Sequence, residues 1–155
     1  MKKVKIGNCV LGGEKIYIQS MLNIPADDVE NSVKQAVELE KAGCEIIRAA
    51  VPRAENAVLI EALKNAVNAP IVADIHFDYK IALACIERGV DKIRINPGNI
   101  GSEYGVKAVA DACRAKNIPI RIGVNSGSLE KRLLEKYGSP TPEALVESAL
   151  EHVKL

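Results

Sequence analysis

Residues 70–96 read PIVADIHFDYKIALACIERGVDKIRIN, and the pattern within them decides the fold. Pro70–His76 is a β-branched run that ends on polar residues, as a buried strand does when it reaches a loop. Tyr79–Arg88 then places apolar side chains at helical spacing, and Gly89 supplies the C-terminal stop. Lys92–Asn96 returns to a β-branched run. Strand, helix and strand in so short a span predict a parallel βαβ unit.

The same alternation extends in both directions. Lys15–Met21, Glu45–Val51 and Pro119–Asn125 read as three more strands. Asp27–Ala42, Ala54–Val67 and Glu103–Lys116 read as helices between them, the first stopped by Gly43. A last helix is expected from Pro142, a good first-turn residue behind Thr141 as its cap. Gly43-Cys44-Glu45-Ile46-Ile47-Arg48 matches Gly89-Val90-Asp91-Lys92-Ile93-Arg94: a glycine stop, an acidic residue, a strand and an arginine. Ahead of the first strand, Val4–Gly13 reads as a small hairpin turning at Gly7-Asn8, a piece that closes the N-terminal end of many barrels. The expected fold class is α/β: the N-terminal part of a TIM (β/α) barrel, with about five βα units behind a short hairpin. An open doubly wound sheet fits the same pattern. With 155 residues, the chain is shorter than the ~250 that a complete eight-stranded barrel needs.

Composition narrows the function classes. Aromatic residues are 3% of the chain and apolar residues 48%, so the core must be built from Ile, Val, Leu and Ala. The 21 basic and 20 acidic side chains leave a net charge of +1, which gives no overall field for nucleic acid or an anionic membrane. Anion binding must therefore come from local clustering. Cys9, Cys44, Cys85 and Cys113 are widely spaced and form no C-x-x-C pair, so neither a metal site nor a disulfide framework is expected. The basic N-terminus is followed by no apolar segment of signal-peptide type, and no run is long enough to span a bilayer. The expected location is the cytoplasm.

In parallel α/β folds, ligands bind at the C-terminal ends of the strands. Arg48 lies on the second of the five parallel strands, Asp74 and His76 on the third, Arg94 and Asn96 on the fourth, Arg121, Gly123 and Asn125 on the fifth. Their period of two puts each set on one face, while Ile75, Ile93, Ile95, Ile122 and Val124 face the helices. The polar face is then the barrel interior or the sheet crevice, which is normally apolar. Burying three arginines there costs several kcal/mol each unless they are paired. Asp74 can satisfy one or two, and a phosphate or diphosphate suits the remaining guanidinium geometry. An internal salt-bridge layer completed by a glutamate from later strands is the alternative. His76 reads either as a structural partner of Asp74 or as a proton donor. The glycine-bearing loops at 97–101 and 123–128 could offer backbone N–H groups to phosphate, or could simply be tight turns. Neither a Walker A motif nor G-x-G-x-x-G occurs, and no Ser-His-Asp arrangement is legible.

These residues also carry a resemblance. Gln19-Ser20-Met21, Arg48 with Val51-Pro52, Ala73-Asp74-Ile75-His76-Phe77, Arg94-Ile95-Asn96-Pro97-Gly98-Asn99-Ile100-Gly101 and Arg121-Ile122-Gly123-Val124-Asn125-Ser126-Gly127-Ser128-Leu129 occur in order. Together they resemble the N-terminal barrel of the 4-hydroxy-3-methylbut-2-enyl diphosphate synthases of methylerythritol phosphate isoprenoid biosynthesis, over essentially the whole chain. The resemblance implies an iron–sulfur oxidoreductase. Its reaction is the reductive ring opening of 2-C-methyl-D-erythritol 2,4-cyclodiphosphate, with electrons from flavodoxin or ferredoxin. It implies that Arg48, Arg94 and Arg121 grip the diphosphate, that Asn96 and Asn125 donate hydrogen bonds to it or to substrate hydroxyls, and that Asp74 and His76 orient those groups. It further implies a 4Fe–4S cluster on a separate C-terminal domain, with ligands beyond residue 155, and a homodimer in which that domain caps the partner's barrel. On this reading, residues 1–155 are the N-terminal portion of the substrate-binding domain, inactive by themselves. Where many relatives continue T-N-T-D-T after Gln19-Ser20-Met21, this chain has Leu22-Asn23-Ile24-Pro25-Ala26, so no role is assigned to that loop. Two other functions fit the residues: a non-catalytic half-barrel that binds a phosphate ligand, and a transferase of the pterin-binding barrel type.

Overall fold

The computed structural model describes residues 2–96, 99–100 and 103–154. It begins with the expected hairpin. Strands β1 (Val4–Ile6) and β2 (Cys9–Leu11) pair antiparallel about a turn at Gly7 and Asn8. Gly7 has φ +53°, and a Cβ there would lie 2.8 Å from Pro70 Cγ, so both backbone conformation and space require glycine.

The main sheet is parallel. It comprises β3 (Gln19–Met21), β4 (Ile46–Ala50), β5 (Ile71–Ile75), β6 (Lys92–Ile95) and β7 (Ile120–Ile122), with neighbours in space also neighbours in sequence. Helices α1 (Val29–Lys41), α2 (Val58–Ala66), α3 (Tyr79–Glu87) and α4 (Glu103–Ala115) form the crossovers. Their apolar faces share one core with the outward residues Ile47, Ala49, Ile71, Ala73, Ile75, Ile93 and Ile95. A doubly wound sheet would reverse its strand order at a switch point. This order never reverses and the helices share one core, so the sheet curls as part of a barrel. Its other face meets the hairpin, where Ile46 and Val72 pack with Cys9, Leu11 and Tyr17 to make an apolar floor.

Several predicted boundaries shift. The first parallel strand is three residues long rather than seven, because it lies at the edge of the sheet and pairs with β4 alone. Ile16 and Ile18 ahead of it are 90% and 63% exposed. The helix expected at Ala54–Val67 begins as a 3₁₀ turn at Ala54–Ala57. A short helix α5 (Lys131–Tyr137), ended by Gly138 at φ +73°, was not anticipated. Its Leu133 forms a small second core with Leu129 and Ala144 of the final helix α6 (Pro142–Lys154). Thr141 caps that helix as expected, its Oγ1 accepting from the Ala144 N–H at 3.2 Å. Gly43 and Gly89 end α1 and α3 at φ +95° and +79°. Among the described residues, no helix is long and apolar enough to cross a membrane.

Candidate anion-binding site

The strand registers bring the polar residues together. Val72 lies opposite Lys92, Asp74 opposite Arg94, and Arg94 opposite Arg121, all on the face turned away from the helices. Asp74 is the centre of the site. It is 1% exposed, and its two oxygens are divided between two arginines. Oδ2 accepts from Arg48 Nε at 3.0 Å and also from Arg48 Nη2, while Oδ1 accepts from Arg94 Nη1 at 2.9 Å. His76, beyond Asp74 on the same face, sets its Nε2 3.4 Å from Oδ1. Burial pushes the Asp74 carboxyl up, but the Arg48 and Arg94 guanidiniums outweigh it and hold the group below the usual carboxylate range.

Arg94 is itself buried and held from three sides. Besides Asp74, Asn125 faces it: with its amide oxygen turned toward the guanidinium, Asn125 accepts from Arg94 Nη2 at 3.2 Å and donates to the Val124 carbonyl at 3.1 Å. Gly123 provides the third side. A Cβ on Gly123 would sit 2.6 Å from Arg94 Nε and 2.8 Å from Nη2, so the guanidinium packs where only a glycine fits. Asn96, buried just past the end of that strand, donates from Nδ2 to the Ser128 hydroxyl in the 3₁₀ turn after β7.

Arg121 is placed differently. It follows the inward register but is exposed, and it lines a groove with Lys92, Pro119 and the hairpin residues Val4, Ile6, Leu11 and Gly12. The structure therefore joins Arg48, Asp74, His76, Arg94 and Asn125 in one contact network. It links Asn96 to Ser128 beside that network and leaves Arg121 at the free edge of β7. Asn99 and Ile100 of the 97–101 loop are described, with the Asn99 N–H donating to the Asn96 carbonyl at 2.9 Å; Pro97, Gly98 and Gly101 lie outside the described residues.

Sequence reasoning did not single out Lys92, and although it placed Gly123 and Ser128 at the end of the fifth strand it did not foresee Gly123 as packing space for Arg94 or the Ser128 hydroxyl as partner of Asn96. Lys92 had a signal, since it shares the period of two with Arg94 and Asn96. The particular contacts of Gly123 and Ser128 had none, because they are made between strands. Taken together, these strand faces set Arg48, Lys92, Arg94 and Arg121 against one carboxylate, Asp74, among the described residues. That excess of cations on one face, two of them fixed by Asp74, suits a polyanion.

A model of the GcpE TIM-barrel domain matches residues 1–155. The chain belongs to the GcpE TIM-barrel family. Members of curated standing are close in sequence. The 4-hydroxy-3-methylbut-2-en-1-yl diphosphate synthase (flavodoxin) of Clostridium perfringens is 61% identical over 155 residues, which is 99% of this chain and 44% of that protein. The enzyme of the same name from Caldicellulosiruptor saccharolyticus is 59% identical, over 99% of this chain and 45% of its own length. This GcpE barrel chain thus spans less than half the length of the curated relatives it matches. Among solved structures, Xanthomonas albilineans dihydropteroate synthase superposes with a TM-score of 0.67 at 14% identity, covering 98% of this chain and 59% of that one. The carboxyl transferase domain of Rhizobium etli pyruvate carboxylase gives 0.52 at 20% identity, covering 88% and 24%. At such identities the likeness is one of fold.

The cysteines of this GcpE barrel do not suit an iron–sulfur cluster. All four are free and buried, and no group of three or more His, Cys, Asp or Glu side chains is placed to hold a metal among the described residues. Burial raises the Cys85 thiol to about 12 and the Cys113 thiol to about 11, the opposite of what a thiolate ligand requires.

Proposed function

We propose that this chain is the N-terminal portion of the substrate-binding barrel of a 4-hydroxy-3-methylbut-2-enyl diphosphate synthase. The reaction is the reductive ring opening of 2-C-methyl-D-erythritol 2,4-cyclodiphosphate in isoprenoid biosynthesis. The observation that carries this reading is the buried Asp74 bridging Arg48 and Arg94, with further cations left over on the same face. The carboxylate fixes two guanidiniums before any ligand arrives. Binding an anion then requires little rearrangement of side chains, which favours affinity. In this reading Arg48, Arg94 and Arg121 contact the diphosphate. Asn96 positions its amide at the mouth, Asn125 steadies Arg94, and Asp74 and His76 set the orientation of the cluster.

The electron donor we propose is flavodoxin, which the relatives' names carry, with ferredoxin as the alternative. The 4Fe–4S cluster belongs in this proposal to a second domain with its own cysteines, since the thiols described here do not fit one. We further propose a homodimer in which that domain covers the partner's barrel, and a cytoplasmic location.

Calorimetric titration of the intact protein tests the substrate class. The cyclodiphosphate should bind, with inorganic pyrophosphate weaker and a pterin not at all. Binding of the pterin in preference to the cyclodiphosphate would move the protein to the transferase reading instead.

A further inference from the structure

Lys92 shares the inward face with the cluster but makes no contact within it. It opens β6, two positions before Arg94 on the same face, and is 8% exposed. Among the described residues it has no carboxylate partner and no hydrogen bond, whereas every other buried charged side chain is paired. Its electrostatic neighbours are Arg121 on β7 and Arg48 on β4; burial first, and then these two cations, hold its ammonium below the usual lysine range. On β5 the residue opposite is Val72, and the hairpin below presents Ile6 and Leu11. Asp74, one step further up β5, is already divided between Arg48 and Arg94. The side chain is largely buried while its ammonium reaches the groove shared with Arg121, and so little water around a cation set beside two arginines makes a neighbouring anion favourable.

Geometry sets where that anion must be. Two residues along a strand span about 6.6 Å, and the flexible four-carbon stem of lysine covers a comparable distance. The ammonium can therefore rise from the floor to the level of Arg94 and Arg121. The side toward the hairpin offers Ile6, Leu11 and two further cations, Lys2 and Arg121, and no carboxylate among the described residues, so an anion shared with Arg94 lies upward in the pocket.

We propose that Lys92 forms the floor of the anion site and contacts the deeper phosphate of a diphosphate ligand, separating two-phosphate ligands from one-phosphate ligands. This rests on the reading of the Arg48–Asp74–Arg94 cluster as an anion site.

The test is Lys92→Met in the intact protein, with inorganic pyrophosphate and orthophosphate as probes, measured by calorimetric titration and by melting without ligand. Pyrophosphate affinity should fall by roughly ten- to a hundredfold, the worth of one charge-assisted hydrogen bond. Orthophosphate affinity should change little, and the ligand-free melting temperature should rise. Unchanged pyrophosphate affinity would overturn the proposal while leaving the arginine site standing. A lower ligand-free melting temperature would overturn it too, by showing that Lys92 is paired with a carboxylate elsewhere in the protein. If the unaltered protein binds neither probe, the anion reading fails and this proposal with it.

Discussion

Replacing Asp74 by asparagine keeps the side-chain shape and removes the charge that two arginines share. The carboxylate is 1% exposed and the Arg94 side chain 8%, so that half of the bridge has almost no solvent to replace it. Arg48 keeps 21% exposure and can rehydrate in part. Breaking a buried pair costs about 3–5 kcal/mol; the access of water to Arg48 places the expected loss near the lower end, about 3 kcal/mol. For a domain of this size that corresponds to a fall in melting temperature of roughly 6–12 °C. The effect has a pH signature. The folded-state pKa of Asp74 is depressed, so its contribution is fully present above the ordinary value of 3.8 and is lost as the pH falls through the lower folded value. Parent and Asp74→Asn proteins should therefore differ at pH 7 and converge in acid, below the ordinary carboxylate range. Urea unfolding across a pH series measures both quantities. A difference under about 1 kcal/mol at neutral pH, or one that persists undiminished in acid, would show that the bridge does not stabilise the fold through its charge.

Further expectations concern single contacts. Gly123→Ala would put a methyl group 2.6 Å from Arg94 Nε, and should weaken pyrophosphate binding by about tenfold or more through displacement of a charge-assisted donor; calorimetric titration reads this, and unchanged affinity would show that Arg94 has room to move. Native-state alkylation at pH 8, followed by mass spectrometry, should leave Cys85 and Cys113 unmodified, because burial holds their thiols at about 12 and about 11; labelling at the rate of a free thiol would contradict their placement. Thr141→Ala removes the cap on α6 and should cost about 1 kcal/mol in a denaturant titration, with full stability retained in Thr141→Ser.

The order of strands and helices was legible because it rests on local pattern: β-branched runs, helical spacing, and glycines that end α1 and α3 at positive φ. The shared strand face of the candidate residues was legible for a related reason. Polar residues at a period of two on several strands must share a face, and that placed Arg48, Asp74, His76, Arg94, Asn96, Arg121 and Asn125 before any contact was known. The residues themselves also determined the family resemblance.

What only the tertiary structure decided is which of those residues meet. Register between strands is a matter of pairing, not of composition. It sets Asp74 beside Arg94 and one step from Arg48, so that one carboxylate bridges two guanidiniums. Arg121 keeps the inward register opposite Arg94 but is exposed in this structure, because β7 has a neighbouring strand on one side only. The same pairing turns Gly123, legible as a residue of the polar face at the end of the fifth strand, into the space a guanidinium occupies. It encloses Lys92, which reads in sequence as an ordinary strand-opening lysine, among cations. The alternation of side chains along a strand is local and can be read from order alone. The charge around a buried group is summed over strands distant in sequence, and only the folded sheet performs that sum.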